Sequence, residues 1–218
     1  MPGRRPTWAS CISTAGAVPL DYAQAVKWFR LAADQGDARA QANLGIMYAN
    51  GQGVPQDYVQ AVKWYRLAAD RGDAKAQFNL GGMCASGHGV PQDYAQAAKW
   101  FQLAADQGDA GGQINLGFMY QHGQGVPQDY AQAAKWFRLA ADQGNAGAQY
   151  RLGHMYDLGR GVPKDAVEAH KWFNLAAGGA SDADTRKRAA KARDAGAGKM
   201  SPAQVVEAQK RASAWQPK

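Results

Sequence analysis

Cysteine is scarce in this chain, since only Cys11 and Cys84 occur among its 218 residues. Two cysteines form at most one disulfide, so the chain is not one of the small secreted proteins that disulfides hold together. No run of apolar residues approaches the ~18 that a membrane-spanning helix requires. Apolar residues nevertheless make up 46% of the composition and charged residues 20%. These fractions are typical of a folded protein with a substantial core.

Basic residues outnumber acidic ones, but the excess is not spread over the chain. The 25 basic and 18 acidic residues give a net charge of +7. Residues 21–180 hold 14 of each sign, so the excess lies in residues 1–20 and 181–218. A nucleic-acid-binding protein gathers its cations on one docking surface. We therefore expect no nucleic-acid partner.

A segment of 36 residues, beginning at Asp21, recurs along the chain. We call positions that are 36 residues apart a column. The predicted units are residues 21–56, 57–92, 93–128 and 129–164, followed by 165–180, which is the first helix of an incomplete fifth unit. Residues 1–20 are predicted to be the remnant of a truncated repeat, and residues 181–218 to form basic C-terminal capping helices.

Each unit has the pattern of two helices. Asp21 and Asp37 are placed to cap them, and Gly36 and Gly51 to end them. Gly45 lies in the middle of the second helix, where glycine costs about 1 kcal/mol relative to alanine. This glycine predicts a close approach between neighbouring helix backbones. One helix pair cannot bury both of its apolar sides, so the units must stack into an all-α solenoid.

Three motifs carry a family resemblance: the loop G-x-G-V-x-x-D, the helix A-x-x-W-[FY]-x-x-A-A and the helix A-x-L-G-x-M. They resemble Sel-1-like repeats, which are relatives of the tetratricopeptide repeats. The tetratricopeptide repeats have a period of about 34 residues. The resemblance implies a right-handed α/α superhelix of about five hairpins plus a C-terminal cap helix. It also implies a bacterial adaptor that binds a protein or peptide in its concave groove. The cysteine pairs of the cysteine-rich relatives are absent, because Cys84 stands in a column of tyrosines.

No pattern in the sequence indicates catalysis, a cofactor or a metal site. The four histidines show no metal-ligand spacing, and no S-x-x-K or K-T-G motif occurs. We therefore expect a non-catalytic scaffold. An envelope-associated binder of peptidoglycan or other glycan fragments is the alternative, and a hydrolase with unrecognised residues is the least favoured reading of the chain.

The predicted binding surface is a ladder of polar side chains on the first helices, which line the concave side in related solenoids. Its lysine column runs along one face with a second, mostly arginine, column beside it. We expect these donors to hold an extended peptide. The alternative is a solvated face on which Arg30 pairs with Asp34. The ladder residues are Lys27, Arg30, Lys63, Arg66, Lys99, Gln102, Lys135, Arg138, Lys171 and Asn174.

Two further sets of aromatic residues recur at helical positions. Phe78, Phe118 and Tyr150 lie on the second helices, either as an exposed patch for a partner or in contact with an adjacent unit's loop. A tryptophan in every first helix is predicted to interlock successive units. The tryptophans are Trp28, Trp64, Trp100, Trp136 and Trp172.

The N-terminal segment has no apolar core of the kind that a secretory signal needs. As written, the sequence predicts a cytoplasmic protein, and a periplasmic or secreted one if the native N-terminus is longer.

Overall fold

The computed structural model describes residues 21–217, which form eleven helices and contain no strand. Each of the first four units holds two helices, and the remaining three helices form the C-terminal end. The predicted all-α solenoid is confirmed, whereas the predicted repeat remnant in residues 1–20 lies outside the described residues. The helices are α1 (Tyr22–Asp34), α2 (Ala38–Asn50), α3 (Tyr58–Ala69), α4 (Ala74–Ser86), α5 (Tyr94–Asp106), α6 (Ala110–His122), α7 (Tyr130–Asp142), α8 (Ala146–Leu158), α9 (Ala166–Gly179), α10 (Ala183–Ala197) and α11 (Pro202–Ser213).

Aspartates cap the helices of the units, as the sequence predicts, except that Asn145 caps α8. The side chain of Asp21 accepts a hydrogen bond from the Gln24 amide at 3.0 Å, and that of Asp37 from the Ala40 amide at 2.7 Å. These contacts satisfy amides that have no partner within the helix. Gly51 ends α2 in the left-handed conformation, with φ of 67°. The start and the end of each helix are therefore set by contacts between residues that are close together in the sequence.

The glycine in the middle of each second helix makes room for an aromatic ring. A Cβ atom on Gly45 would lie 2.6 Å from the ring of Tyr65, and one on Gly81 would lie 2.8 Å from the ring of Phe101. A Cβ atom on Gly82, the next residue, would meet no other group of the described chain within 4 Å. The prediction of a close backbone approach at this column is therefore wrong. An aromatic side chain from the first helix of the following unit packs against this glycine, which has no side chain of its own.

Close backbone contact occurs in the loop that ends each unit. Gly53 has φ of 72°, and a Cβ atom on it would lie 2.3 Å from the carbonyl oxygen of Tyr22. Only glycine combines this conformation with this contact. The loop is thereby held against the start of the first helix in its own unit.

Buried glutamines connect successive units, a feature that the sequence analysis did not identify. Gln41 donates to the carbonyl of Ala33 at 3.0 Å and accepts from Arg71 of the next unit at 2.8 Å. Gln77 and Gln113 accept from the next unit in the same way. The row ends at Gln149, whose buried Oε1 has no partner among the described residues.

The C-terminal helices cover the last unit, as predicted. Trp215, after α11, meets Trp172 of α9 edge to face, with ring centroids 6.4 Å apart. Arg211 of α11 forms an ion pair with Glu168 of α9 at 2.9 Å. Among the helices of residues 21–217, none is both long and apolar enough to cross a membrane.

Candidate functional site

The lysine column of the predicted ladder is open to solvent along most of the array. Lys27, Lys63, Lys99 and Lys135 are exposed. Within the described part of the chain, none of these four forms an ion pair. Lys171 differs, since it is half-buried and pairs with Glu168 at 3.3 Å. The first four units therefore present ammonium groups without a carboxylate partner.

In several units, the side chain of the second column of the ladder forms a hydrogen bond within the protein. Arg30 donates to the hydroxyl of Tyr48 in the second helix of its own unit, and Arg138 donates to Tyr156 in the same way. This tyrosine replaces Asp34 as the partner expected for Arg30. In unit two Cys84 stands in the tyrosine column, so Arg66 has no hydroxyl to meet there.

The remaining two residues of this column are amides. Gln102 donates to Asp106 at 2.8 Å, while Asn174 accepts from Arg193 of α10 at 3.2 Å. The column therefore contributes fewer free donors than the lysines beside it.

Exposed leucines follow the lysines, and the sequence analysis missed them. Each leucine lies four residues after a lysine of the ladder, which is about one helical turn. Their side chains are 40–55% exposed. The available signal was a leucine that recurs in every unit four residues after the lysine of the ladder. The exposed members are Leu31, Leu67, Leu103 and Leu139.

The predicted aromatic patch lies between units. Phe78 packs against Phe101 of the next unit, with ring centroids 5.9 Å apart. Tyr150 does the same with Phe173 at 5.9 Å, and the guanidinium of Arg151 lies 5.3 Å from the ring of Phe118. All three aromatic side chains are half-buried. They contact helices of the following unit instead of its loop, and only part of each is open to a partner.

The tryptophan column becomes more buried toward the C-terminus. Trp28 is 70% exposed, whereas Trp136 and Trp172 are 5% and 2% exposed. Trp64 and Trp100 are half-buried, and Trp64 packs against the buried cluster of the preceding unit. The predicted interlocking is therefore tightest at the C-terminal end of the array.

A cavity of about 220 Å³ opens between units three and four. Its lining residues come from the second helices, the loop after α8 and the first residue of α7, and none of them is a lysine of the ladder. Six of its residues belong to α8 and the loop after it, and all of these except Met155 differ from the residues in the same columns of the other units. The lining residues are Gln121, Tyr130, Tyr150, Arg151, His154, Met155, Leu158 and Arg160.

Two arginines give this cavity a positive charge. The guanidinium of Arg151 lies 5.3 Å from the Phe118 ring and 5.7 Å from the Phe137 ring. Burial lowers the pKa of Arg151, because the charged form loses water. Arg160 lies over the ring of Tyr130 at 5.5 Å. Neither arginine forms an ion pair with any residue from 21 to 217.

The described residues provide no metal-binding cluster of three or more histidine, cysteine or carboxylate side chains. Cys84 is a buried free thiol. Burial raises the pKa of this thiol, which keeps it protonated and unreactive.

Comparison with known proteins identifies the repeat. The Sel1 repeat pattern matches residues 12–37, 38–73, 74–109, 110–145 and 146–179. No curated protein matches the chain.

Solved structures show the same array. The chain is similar to c5321, a protective antigen of uropathogenic Escherichia coli with an SLR fold, at 37% identity and a TM-score of 0.77, over 90% of this chain and 42% of that one. A Sel1 repeat protein from Oxalobacter formigenes is 40% identical, with a TM-score of 0.73, over 82% of this chain and 52% of its own. The chain thus spans about half the length of these two relatives.

A more distant likeness concerns the fold alone. The immunity protein Pa5087 from Pseudomonas aeruginosa is 20% identical, with a TM-score of 0.52, over 96% of this chain and 82% of its own. Five matched repeats and two close structural relatives establish the family. The chain belongs to the Sel1 repeat family, whose members are generally non-catalytic scaffolds for protein interactions.

Proposed function

We propose that the array is a scaffold whose first-helix face binds an acidic protein segment carrying apolar side chains. One observation carries the proposal, namely that an exposed leucine follows an exposed lysine in each of the first four units, and that none of these lysines forms an ion pair within residues 21–217. The lysines are Lys27, Lys63, Lys99 and Lys135, and the leucines are Leu31, Leu67, Leu103 and Leu139. We call these eight residues the lysine–leucine face.

The leucines supply a reason for a partner to bind. Burying apolar surface is worth about 25 cal/mol per Å², and these side chains leave 40–55% of their area open to water. None of these four leucines packs against a buried cluster of the described chain, whereas Leu175, in the same column of the fifth unit, does. A partner that runs along the array would contact a leucine in each unit, which explains why the exposed leucine is repeated.

The lysines select the charge of that partner. Each ammonium lies one helical turn from a leucine, so an apolar side chain on the leucine brings a neighbouring carboxylate within reach of the lysine. Arg30 and Arg138, in the neighbouring column, donate hydrogen bonds to tyrosine hydroxyls of the protein. The preferred partner is therefore an extended segment in which acidic and apolar residues alternate along successive units.

Selection from a random-peptide phage library tests this function. We expect enriched peptides to combine Asp or Glu with Leu, Ile or Phe. Charge reversal by Lys99→Glu with Lys135→Glu, or apolar loss by Leu103→Gln, should weaken a selected peptide about tenfold or more in a fluorescence titration. The matched control is Lys75→Glu, which reverses an exposed lysine outside the column.

Two results would overturn the proposal. One is enrichment of basic peptides or of peptides without apolar residues. The other is a selected peptide that binds the Lys99→Glu, Lys135→Glu double variant as tightly as it binds the unaltered chain.

A further inference from the structure

We propose that the cavity between units three and four is a separate binding site for a carboxylate attached to an apolar body and an adjacent N–H group. Such a ligand is an N-acylated amino acid or the C-terminal residue of a peptide. The site uses none of the residues of the lysine–leucine face, so it does not depend on the function proposed for that face.

The carboxylate is assigned by the two arginines. Arg151 and Arg160 both line the cavity, and among the described residues their guanidinium groups lie against aromatic rings. A half-buried guanidinium without a carboxylate retains donors that a planar anion satisfies in pairs. A small cavity that is lined by half-buried Arg151 and exposed Arg160 fits a single carboxylate better than it fits a neutral ligand.

Other charges near the cavity leave its sign positive. His154 lies in the wall, and burial lowers its pKa, so the ring is neutral at pH 7. Asp157 is near enough to oppose that shift, but it forms no ion pair with Arg151 or Arg160. Arg188 of α10 lies near Arg151, but it pairs with Asp184 at 3.1 Å, which compensates its charge. No acid therefore neutralises the cavity from within the described chain.

The other lining residues indicate the apolar body and the N–H group of the ligand. Tyr150, Met155 and Leu158 give an apolar surface against which a side chain packs. Gln121 also lines the cavity, and its buried Oε1 atom accepts no hydrogen bond from the described residues. An unsatisfied buried acceptor favours a ligand that donates an N–H. The amide next to a terminal carboxylate is such a donor.

The other units show that the solenoid folds without the two arginines of the cavity. The column of Arg151 holds asparagine at residues 43, 79 and 115, and the column of Arg160 holds glutamine at residues 52 and 124. The fold is built with those amides in other units, so it does not require the arginines. Replacing them by Arg151→Asn and Arg160→Gln removes the proposed anion site while restoring residues that the solenoid already accommodates.

Isothermal titration calorimetry on the full chain tests the site with defined probes. N-acetyl-phenylalanine and a short peptide ending in phenylalanine represent the two sources of the ligand. Their C-terminal amides have the same body without the charge, and inorganic phosphate has charge without a body. We expect saturable binding of the acids, at least about tenfold weaker binding of the amides, and the weakest binding for phosphate.

The variants decide whether that binding belongs to the cavity. The Arg151→Asn, Arg160→Gln double variant should bind the acids at least about tenfold more weakly with unchanged thermal unfolding, whereas Arg30→Gln should bind them normally. Tighter binding of the peptide identifies a chain terminus as the source, and tighter binding of the acetylated amino acid identifies a small molecule. Absence of saturable binding, equal binding of acids and amides, or unchanged binding to the double variant would overturn the proposal.

Discussion

The first four units and the C-terminal end keep the same packing by different means. Between units, a glutamine of one unit is met by a polar side chain of the next, and an aromatic ring lies on a bare glycine. At the end, Gly179 stands where the polar partner would be. Trp215 and the ion pair between Arg211 and Glu168 cover the surface that a further unit would have covered. The difference shows which interactions propagate the array and which ones terminate it.

The two ends of the tryptophan column should differ most in stability. Trp172→Ala removes a side chain that is 2% exposed and packed against Trp215, so we expect a loss of about 3–5 kcal/mol in the free energy of unfolding. Trp28→Ala removes a side chain that is 70% exposed and should change that free energy by less than about 0.5 kcal/mol. Urea unfolding followed by circular dichroism measures both, and equal losses would contradict the burial gradient. Half-buried Trp100 should fall between them.

Restoring the missing polar partner should extend the glutamine row into the C-terminal end. A Cβ atom on Gly179 would lie 4.0 Å from the unpartnered Oε1 of Gln149, and the same column holds glutamine at residues 107 and 143. Gly179→Gln should therefore stabilise the chain by about 1 kcal/mol more than Gly179→Ala, because only glutamine supplies a donor. Thermal and urea unfolding of the two variants measure the difference. Equal stability would mean that Gln149 is already satisfied by water.

A smaller effect is expected from the buried histidine of the last unit. His170 is 4% exposed, and burial, together with Arg193, lowers its pKa, although Asp194 opposes this. The unfolded chain therefore takes up a proton first as pH falls through 6.5, so the folded state loses stability toward lower pH.

Substitution at this position isolates the histidine's share of the acid sensitivity. Alanine occupies the same column at residues 98 and 134, so His170→Ala should lose less thermal stability between about pH 7 and about pH 5 than the unaltered chain. His154 shifts in the same direction and keeps part of the effect. His122→Ala, at an exposed position, is the control, and an identical pH profile for all three chains would contradict the assignment.

Most of the architecture was predictable because its signals are local or repeated. Helix bounds follow from caps such as Asp37 and from left-handed glycines such as Gly51. Stacking follows from the period. The reason for Gly45 was mistaken, since its partner is a ring 20 residues further along the chain. Sequence spacing within one helix gives no information about a contact with the next unit.

The candidate sites divide in a similar way. The lysine column was visible as a stripe on one helix, and the structure finds its first four members exposed. Leu31 and its equivalents were missed, because an apolar residue on a helix gives no sign of being exposed until the neighbouring helices are in place. The cavity was missed for a related reason, since Gln121, Tyr130 and Arg151 belong to three different helices or helix ends.

The sequence by itself determined the repeat, the helices and their ends, and the family, since each of these depends on residues close together or on positions that recur every 36 residues. Only the tertiary structure decided which repeated side chains are buried, which arginines lack a carboxylate, and where unit four opens a cavity. Burial and pairing depend on distances between residues of different units, and those distances exist only once the solenoid has stacked.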